Sequence, residues 1–198
     1  MIYLYGASGH AKVILDILEA QGKDVGGLID DNPDVKELCG YPVSHGFQGE
    51  ESVIISIGNN AIRKKIAAQL QTHFATAVHP SAIVSPRAEV GEGTVVMQGA
   101  IIQSGANIGK HCIINTGASV DHECQVDDFV HISPHATLCG NVTVGEGTWI
   151  GAGTTVIQGI HIGKGCVVGA GSVVSHDIPD GYLAVGNRCK LIKKISQK

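Results

Sequence analysis

The chain is poor in aromatic residues (4%), in charged residues (16%) and in proline, of which it has 6 in 198 residues. So few large rings exclude a core filled by aromatic packing. Charge lies well below the roughly 25% of an ordinary soluble domain, and so little proline alongside abundant glycine excludes collagen-like and disordered chains. Mean hydropathy is +0.17, yet no apolar run reaches the about 18 residues that cross a bilayer, so no membrane insertion is expected. The net charge of -4 supplies no basic field for nucleic acid. The opening residues MIYLYGASGH have neither a basic leader nor a small-residue cleavage site, which predicts a first strand and a cytoplasmic protein. Six cysteines without a CxxC pair predict free thiols and no metal site.

Glycine is what the chain has in excess, 27 residues, about twice the average share of roughly 7%. An internal repeat accounts for it. From Val78 to Val174 every sixth residue is aliphatic, seventeen hexads in unbroken phase. The residue four places later is small or β-branched, as in Ala100, Ala106, Cys112, Ala118 and Cys124. Neither the 3.6-residue period of a helix nor the two-residue period of a strand holds such a register. It predicts a solenoid in which each hexad makes a short strand and a corner, with aliphatic side chains stacked coil upon coil. Glycine at the second hexad position (Gly91, Gly109, Gly145, Gly151, Gly163, Gly169) is read as a place where a Cβ would obstruct the chain. Cys112, Cys124 and Cys166 fall in the small-residue slot and are read as packing groups.

Residues 1–77 follow other rules. Ile2 to Tyr5 reads as a strand, Gly6-Ala-Ser-Gly9-His10 as a turn, and the next ten residues as a helix with Val13, Ile14, Ile17 and Leu18 on one face. Strands about Val25–Ile29 and Val53–Ile57 follow, the second leading into a helix to about Gln71. This is a small α/β unit with a parallel sheet, a type that binds ligands at the carboxyl ends of its strands. Gly6-x-x-Gly9 can bring backbone N–H groups up to a phosphate, and Asp30 and Asp31 stand about 20 residues on, where an acid holds a ribose in dinucleotide folds. The unit is too short for a full dinucleotide domain, so a mononucleotide carried by a nucleotide-sugar is the expected ligand. Beyond the solenoid, residues 181–198 read as a basic tail with Arg188, Lys190, Lys193, Lys194 and Lys198.

Among ten histidines, His122 stands between Asp121 and Glu123, with Asp127 and Asp128 close by. Neighbouring carboxylates stabilise imidazolium and suit a general base, although from these residues alone a solvated surface histidine is the stronger reading. His131 is placed on another face of the solenoid. His111, His135, His161 and His176 are read as surface residues.

The hexads resemble the left-handed β-helix acyltransferases. Together with Tyr5-Gly-Ala-Ser-Gly-His10, Ile29-Asp-Asp31, Ile57-Gly-Asn-Asn-x-x-Arg63-Lys64, Asn115-Thr-Gly-Ala-Ser-Val-Asp-His122-Glu-Cys and Phe129-Val-His131-Ile-Ser, they are similar to the nucleotide-sugar N-acetyltransferases of bacterial surface-glycan synthesis, whose relatives include sialic acid O-acetyltransferases. The resemblance implies a small Rossmann-like α/β domain (1–77) that binds a nucleotide amino-sugar, then a left-handed parallel β-helix (78–180). It implies acetyl-CoA as co-substrate and a homotrimer with active sites between subunits. It further implies that His122 is the general base, that Glu123 raises its basicity and that Asn115 lies beside it. His131, Ala152 and Ala170 would meet acetyl-CoA, with Arg188 and Lys190 suited to its phosphates. Gly9, His10, Ala11, Asp30, Asp31 and Gly58 would hold the nucleotide-sugar. The chain departs from the family at Gly186-Asn-Arg188-Cys-Lys190, where Gly-x-Pro-Ala-Lys is usual. Three other readings stay open: an O-acetyltransferase, a metal hydratase resembling γ-carbonic anhydrase, and a non-catalytic scaffold with this fold.

Overall fold

The computed structural model describes residues 1–47, 49 and 51–195; Lys198 of the expected tail lies outside them. The first unit runs β1 (Ile2–Tyr5), α1 (Gly9–Ala20), β2 (Val25–Ile29), β3 (Glu37–Leu38), β4 (Tyr41–Ser44), β5 (Ser52–Ile55) and α2 (Asn60–Gln69). Its sheet has the order β3-β4-β2-β1-β5, parallel except for the antiparallel β3–β4 pair, which the sequence reading did not include. The buried face of α1 (Ala11, Ile14, Leu15, Ile17, Leu18) joins Leu4, Leu28 and Ile54 of the sheet in one apolar cluster. That cluster also takes in Ala77, Val95, Met97 and Ile113 of the following repeat. The α/β unit therefore shares its core with the solenoid.

The hexads form two-residue strands from β6 (Ala77–Val78) to β22 (Val173–Val174), each pairing in parallel with the strand eighteen residues away. Three hexads make one coil of a parallel β-helix, whose interior is the predicted aliphatic stack with the small-residue slot beside it, both buried from Val96 onward and partly buried in the first coil. The two requirements for glycine separate in the structure. At the second hexad position the backbone is ordinary and the need is steric, since a Cβ on Gly91 would stand 2.6 Å from the Gly109 carbonyl carbon of the next coil. The left-handed corner lies two residues later, where Glu123 is one of several non-glycine residues (φ 60°).

Residues 181–195 do not stand off as a tail. Strand β23 (Tyr182–Val185) pairs in parallel with Val167–Val168 of the coil, and β24 (Lys190–Lys194) folds back on β23. Together they cap one face as the end of an eight-stranded sheet. No described helix is long and apolar enough to cross a membrane. All six cysteines are free, with Cys112, Cys124 and Cys166 buried.

Candidate active site

Along the face that the α/β unit covers, the outward residues of successive coils are Ala77, Val95, Ile113, His131, Trp149 and Val167, in direct register. The first three are apolar or small and take part in the shared core. Where the cover ends, the ladder turns to His131 and Trp149, whose rings stack with centroids 5.9 Å apart and an interplanar angle of 8°. Trp149 Nε1 donates to Ser133 Oγ at 2.6 Å, which fixes the indole. These rings wall a cleft of about 1310 Å³ between the two units, with Gly58, Asn60 and Lys64 opposite and Lys194 at the rim. A shallower hollow of about 600 Å³ lies on the five-stranded face and involves none of the expected site residues.

Arg63 ties the units together. It is 1% exposed and donates to five acceptors: the carbonyls of His111 (2.7 Å), Ile57 (3.0 Å), Gly58 (3.3 Å) and Phe129 (3.0 Å), and Asn60 Oδ1 (2.8 Å). His111 and Phe129 occupy equivalent corners of successive coils. Asn60 Nδ2 reaches the next corner, donating to the carbonyls of Gly147 (3.0 Å) and Thr148 (3.2 Å). Helix α2, capped by the Asn59 side chain accepting from the Ile62 N–H at 3.0 Å, thus reads three consecutive coils through their outward carbonyls. None of Arg63's partners is a carboxylate, and burial lowers its pKa to about 10. Planar, five-donor guanidinium geometry suits such a bridge, where a lysine ammonium would reach fewer partners.

Three histidines surround this cation. His111 was expected at the surface; it is 5% exposed, stacked on Phe129 at 5.0 Å and edge-on to Phe74 at 4.5 Å. The docked α/β unit hides it, which no local pattern reveals. Burial first, and Arg63 second, lower the pKa of His10 to about 4 and of His131 to about 3, and push that of His111 down. These rings are neutral in the folded protein near pH 7. In the unfolded chain they protonate around pH 6.5, so below that pH the unfolded state binds more protons. Their stabilisation is complete above pH 6.5 and is lost as pH falls through about 4 and about 3, at up to about 1.4 kcal/mol per pH unit for each ring. The thermal midpoint is accordingly expected to fall between pH 7.5 and 5. The double variant His10→Asn/His131→Asn should flatten that slope; an unaltered slope would refute the assignment.

Asn115 is not beside His122 within the chain. Its Nδ2 lies 3.0 Å from His131 Nε2, while its Oδ1 accepts from the Thr116 N–H at 2.8 Å, which orients the amide as donor. Neutral His131 thus accepts at Nε2 from this amide.

The expected nucleotide-sugar residues do converge at the carboxyl ends of β1, β2 and β5. Ser8 precedes α1 without a side-chain cap, so the first N–H groups of the helix, at Gly9, His10 and Ala11, are open to an anion. Ala11 itself is buried and offers only its backbone. Gly9 and Gly58 have open space where a Cβ would stand, so neither packing nor backbone demands glycine there. Asp30 is engaged in the loops, accepting from the N–H groups of Ala7 (2.7 Å) and Asn32 (2.9 Å). Asp31 accepts from Tyr5 Oη at 2.9 Å and is the more exposed acid. His10 Nε2 is buried without a partner.

His122 lies on a different edge of the coil, at the corner between the six- and five-stranded faces. Its Nδ1 is 3.5 Å from Glu123 Oε2, and both side chains are open to solvent, 59% and 71% exposed. Asp121 Oδ1 accepts from the His122 backbone N–H at 2.7 Å, leaving Glu123 to face the ring. Ala152 and Ala170 stand eighteen residues apart on the third edge, both exposed. The 186–189 segment is stacked on the same end by bonds from Gly186 N–H to Ser172 Oγ (3.0 Å) and Cys189 N–H to the Val173 carbonyl (2.9 Å), with Arg188 and Lys190 exposed. A methyl-lined edge ending in two cations fits a narrow chain that carries phosphate. Among the described residues no three His, Cys, Asp or Glu side chains group to hold a metal ion.

Sequence reasoning missed Arg63 as the interdomain tie, although it lies in a quoted motif. It also missed Asn60 and Trp149. An arginine at a helix position that should be apolar was the available signal.

Residues 1–70 match the PglD N-terminal domain, and residues 141–176 the bacterial transferase hexapeptide (six repeats). Over 106 residues the chain is 42% identical to the UDP-N-acetylbacillosamine N-acetyltransferase of Bacillus subtilis (strain 168), covering 47% of this chain and 49% of that protein, so the match spans about half of that relative. Among solved structures, a point mutant of perosamine N-acetyltransferase from Caulobacter crescentus, in complex with CoA and GDP-perosamine, has a TM-score of 0.94 at 37% identity, covering 98% of this chain and 97% of that one. The acetyltransferase domain of PglB from Neisseria gonorrhoeae FA1090, in complex with acetyl coenzyme A, gives 0.90 at 38%, covering 96% and 98%. With its α/β unit, its hexad coil and a relative of 37% identity matched over nearly the whole length, the chain belongs to the hexapeptide-repeat sugar N-acetyltransferases.

Proposed function

We propose that the protein transfers an acetyl group from acetyl-CoA to the amine of a nucleotide-linked amino-sugar in the cytoplasm, as a step in bacterial surface-glycan synthesis. The observation that carries this reading is an exposed imidazole with a carboxylate 3.5 Å from its Nδ1, in a chain that matches a CoA- and GDP-perosamine-bound relative over 98% of its length. The nucleotide lies at the open turn of Gly9, His10 and Ala11, with Asp30 shaping the loop, Asp31 towards the ribose and Gly58 admitting the sugar into the cleft. Acetyl-CoA runs along the Ala152–Ala170 edge, its phosphates near Arg188 and Lys190.

The amine nitrogen attacks the thioester carbonyl carbon while His122 Nε2 takes the amine proton. Glu123 steadies the imidazolium through Nδ1. The tetrahedral intermediate then collapses, the C–S bond breaks, and the CoA thiolate leaves and is protonated from His122. No covalent enzyme intermediate is required.

His122 lies on one edge of the closed coil, and the acceptor loops belong to the α/β unit docked along another. A homotrimer, in which the His122 edge of one subunit faces the cleft of the next, brings them together; Asn115 and His131 then reach the site from the cleft side. The test is thiol release from acetyl-CoA against a panel of UDP-, GDP- and dTDP-linked 4-amino sugars and sialic acids. Turnover with a nucleotide amino-sugar and none with sialic acid is expected. Turnover confined to hydroxyl acceptors would overturn the N-acetyl reading.

A further inference from the structure

Most glycines of the coil have a structural reason: a left-handed corner, as at Gly105 and Gly159, or a close backbone from the next coil, as at Gly91. Gly140 has neither. Its φ lies outside the left-handed region, and the three atoms nearest to an added Cβ all belong to the His122 ring, Cε1 and Nε2 at 2.5 Å and Cδ2 at 3.2 Å. Equivalent corners of the other coils hold Pro86, Ser104, His122 itself, Gln158 and His176, so the position accepts a side chain elsewhere. Imidazoles also cover Gly93 and Gly117, but those two have positive φ and would be glycine on backbone grounds alone.

We propose that Gly140 is a positioning residue for the reaction, its missing side chain forming the shelf on which the His122 ring lies with Nδ1 towards Glu123. The proposal rests on His122 being the base. A methyl group at Gly140 meets no backbone among its nearest atoms, only the far end of an exposed side chain. The ring can therefore turn aside at little cost in stability, but it leaves Glu123 and carries Nε2 off its line to the amine.

Gly140→Ala is expected to fold, to keep its oligomeric state and to hold both KM values within about twofold, while kcat falls on the order of 10²-fold, the scale of a 1 Å misplacement. A fall in kcat with both KM values held is a split that a merely structural role would not produce. Independently of turnover, the His122 ring resonance, assigned by its disappearance in His122→Ala, should move in Gly140→Ala. A kcat within threefold of wild type, or an unmoved resonance, overturns the proposal. So does an alanine variant that fails to fold when His122→Ala/Gly140→Ala, which lacks the ring, fails as well. If His122→Ala keeps wild-type turnover, the base assignment has failed instead, and the resonance still reports whether the shelf exists.

Discussion

Replacing His122 by alanine is expected to lower kcat by about 10²- to 10⁴-fold, the range for a lost general base, with KM for acetyl-CoA nearly unchanged. The ring is 59% exposed, so its removal opens no cavity and should leave the melting temperature in place. The separation of kcat from stability makes the result interpretable. Thiol release on a verified acceptor provides the measurement, and turnover close to wild type would end the assignment. Glu123→Gln should show a smaller loss, because the amide still faces Nδ1 without the charge that stabilises imidazolium.

The second large effect is a gain. Gly58 borders the cleft and has open space at its Cβ position, so Gly58→Trp should block the acceptor without disturbing the fold. Homo-oligomers of either Gly58→Trp or His122→Ala should be nearly inactive. In the proposed homotrimer, the two variants co-expressed with different tags and purified as mixed assemblies should regain about one third of the sites, since a closed ring of three that holds both kinds of subunit always contains one junction that pairs an intact His122 with an intact cleft. The physical basis is the closed aliphatic core of the coil, which lies between the His122 edge and the face holding His131. Mixed trimers without recovered activity would place both halves of the site in one subunit.

The hexad period, the α/β unit ahead of it and His122 among its acids were all legible in the sequence. Each is a local pattern: a six-residue register forces the coil, and neighbours in sequence set the charge around His122. The resemblance carried by the quoted motifs added the loops expected to hold a nucleotide-sugar, which the structure gathers at one sheet end. Contacts between distant positions were not legible. His111 is buried by α2 and Phe74, Asn115 meets His131 one coil later, and Arg63 reaches carbonyls 48 and 66 residues away. A repeat makes every corner alike in sequence, so only docking of the α/β unit decides which corner carbonyls are used and which outward ladder residues face a cleft. Gly140 illustrates the same division. As a letter it is one more glycine in a glycine-rich coil, and only the tertiary structure, by stacking it eighteen residues from His122, makes its missing Cβ a feature of the site.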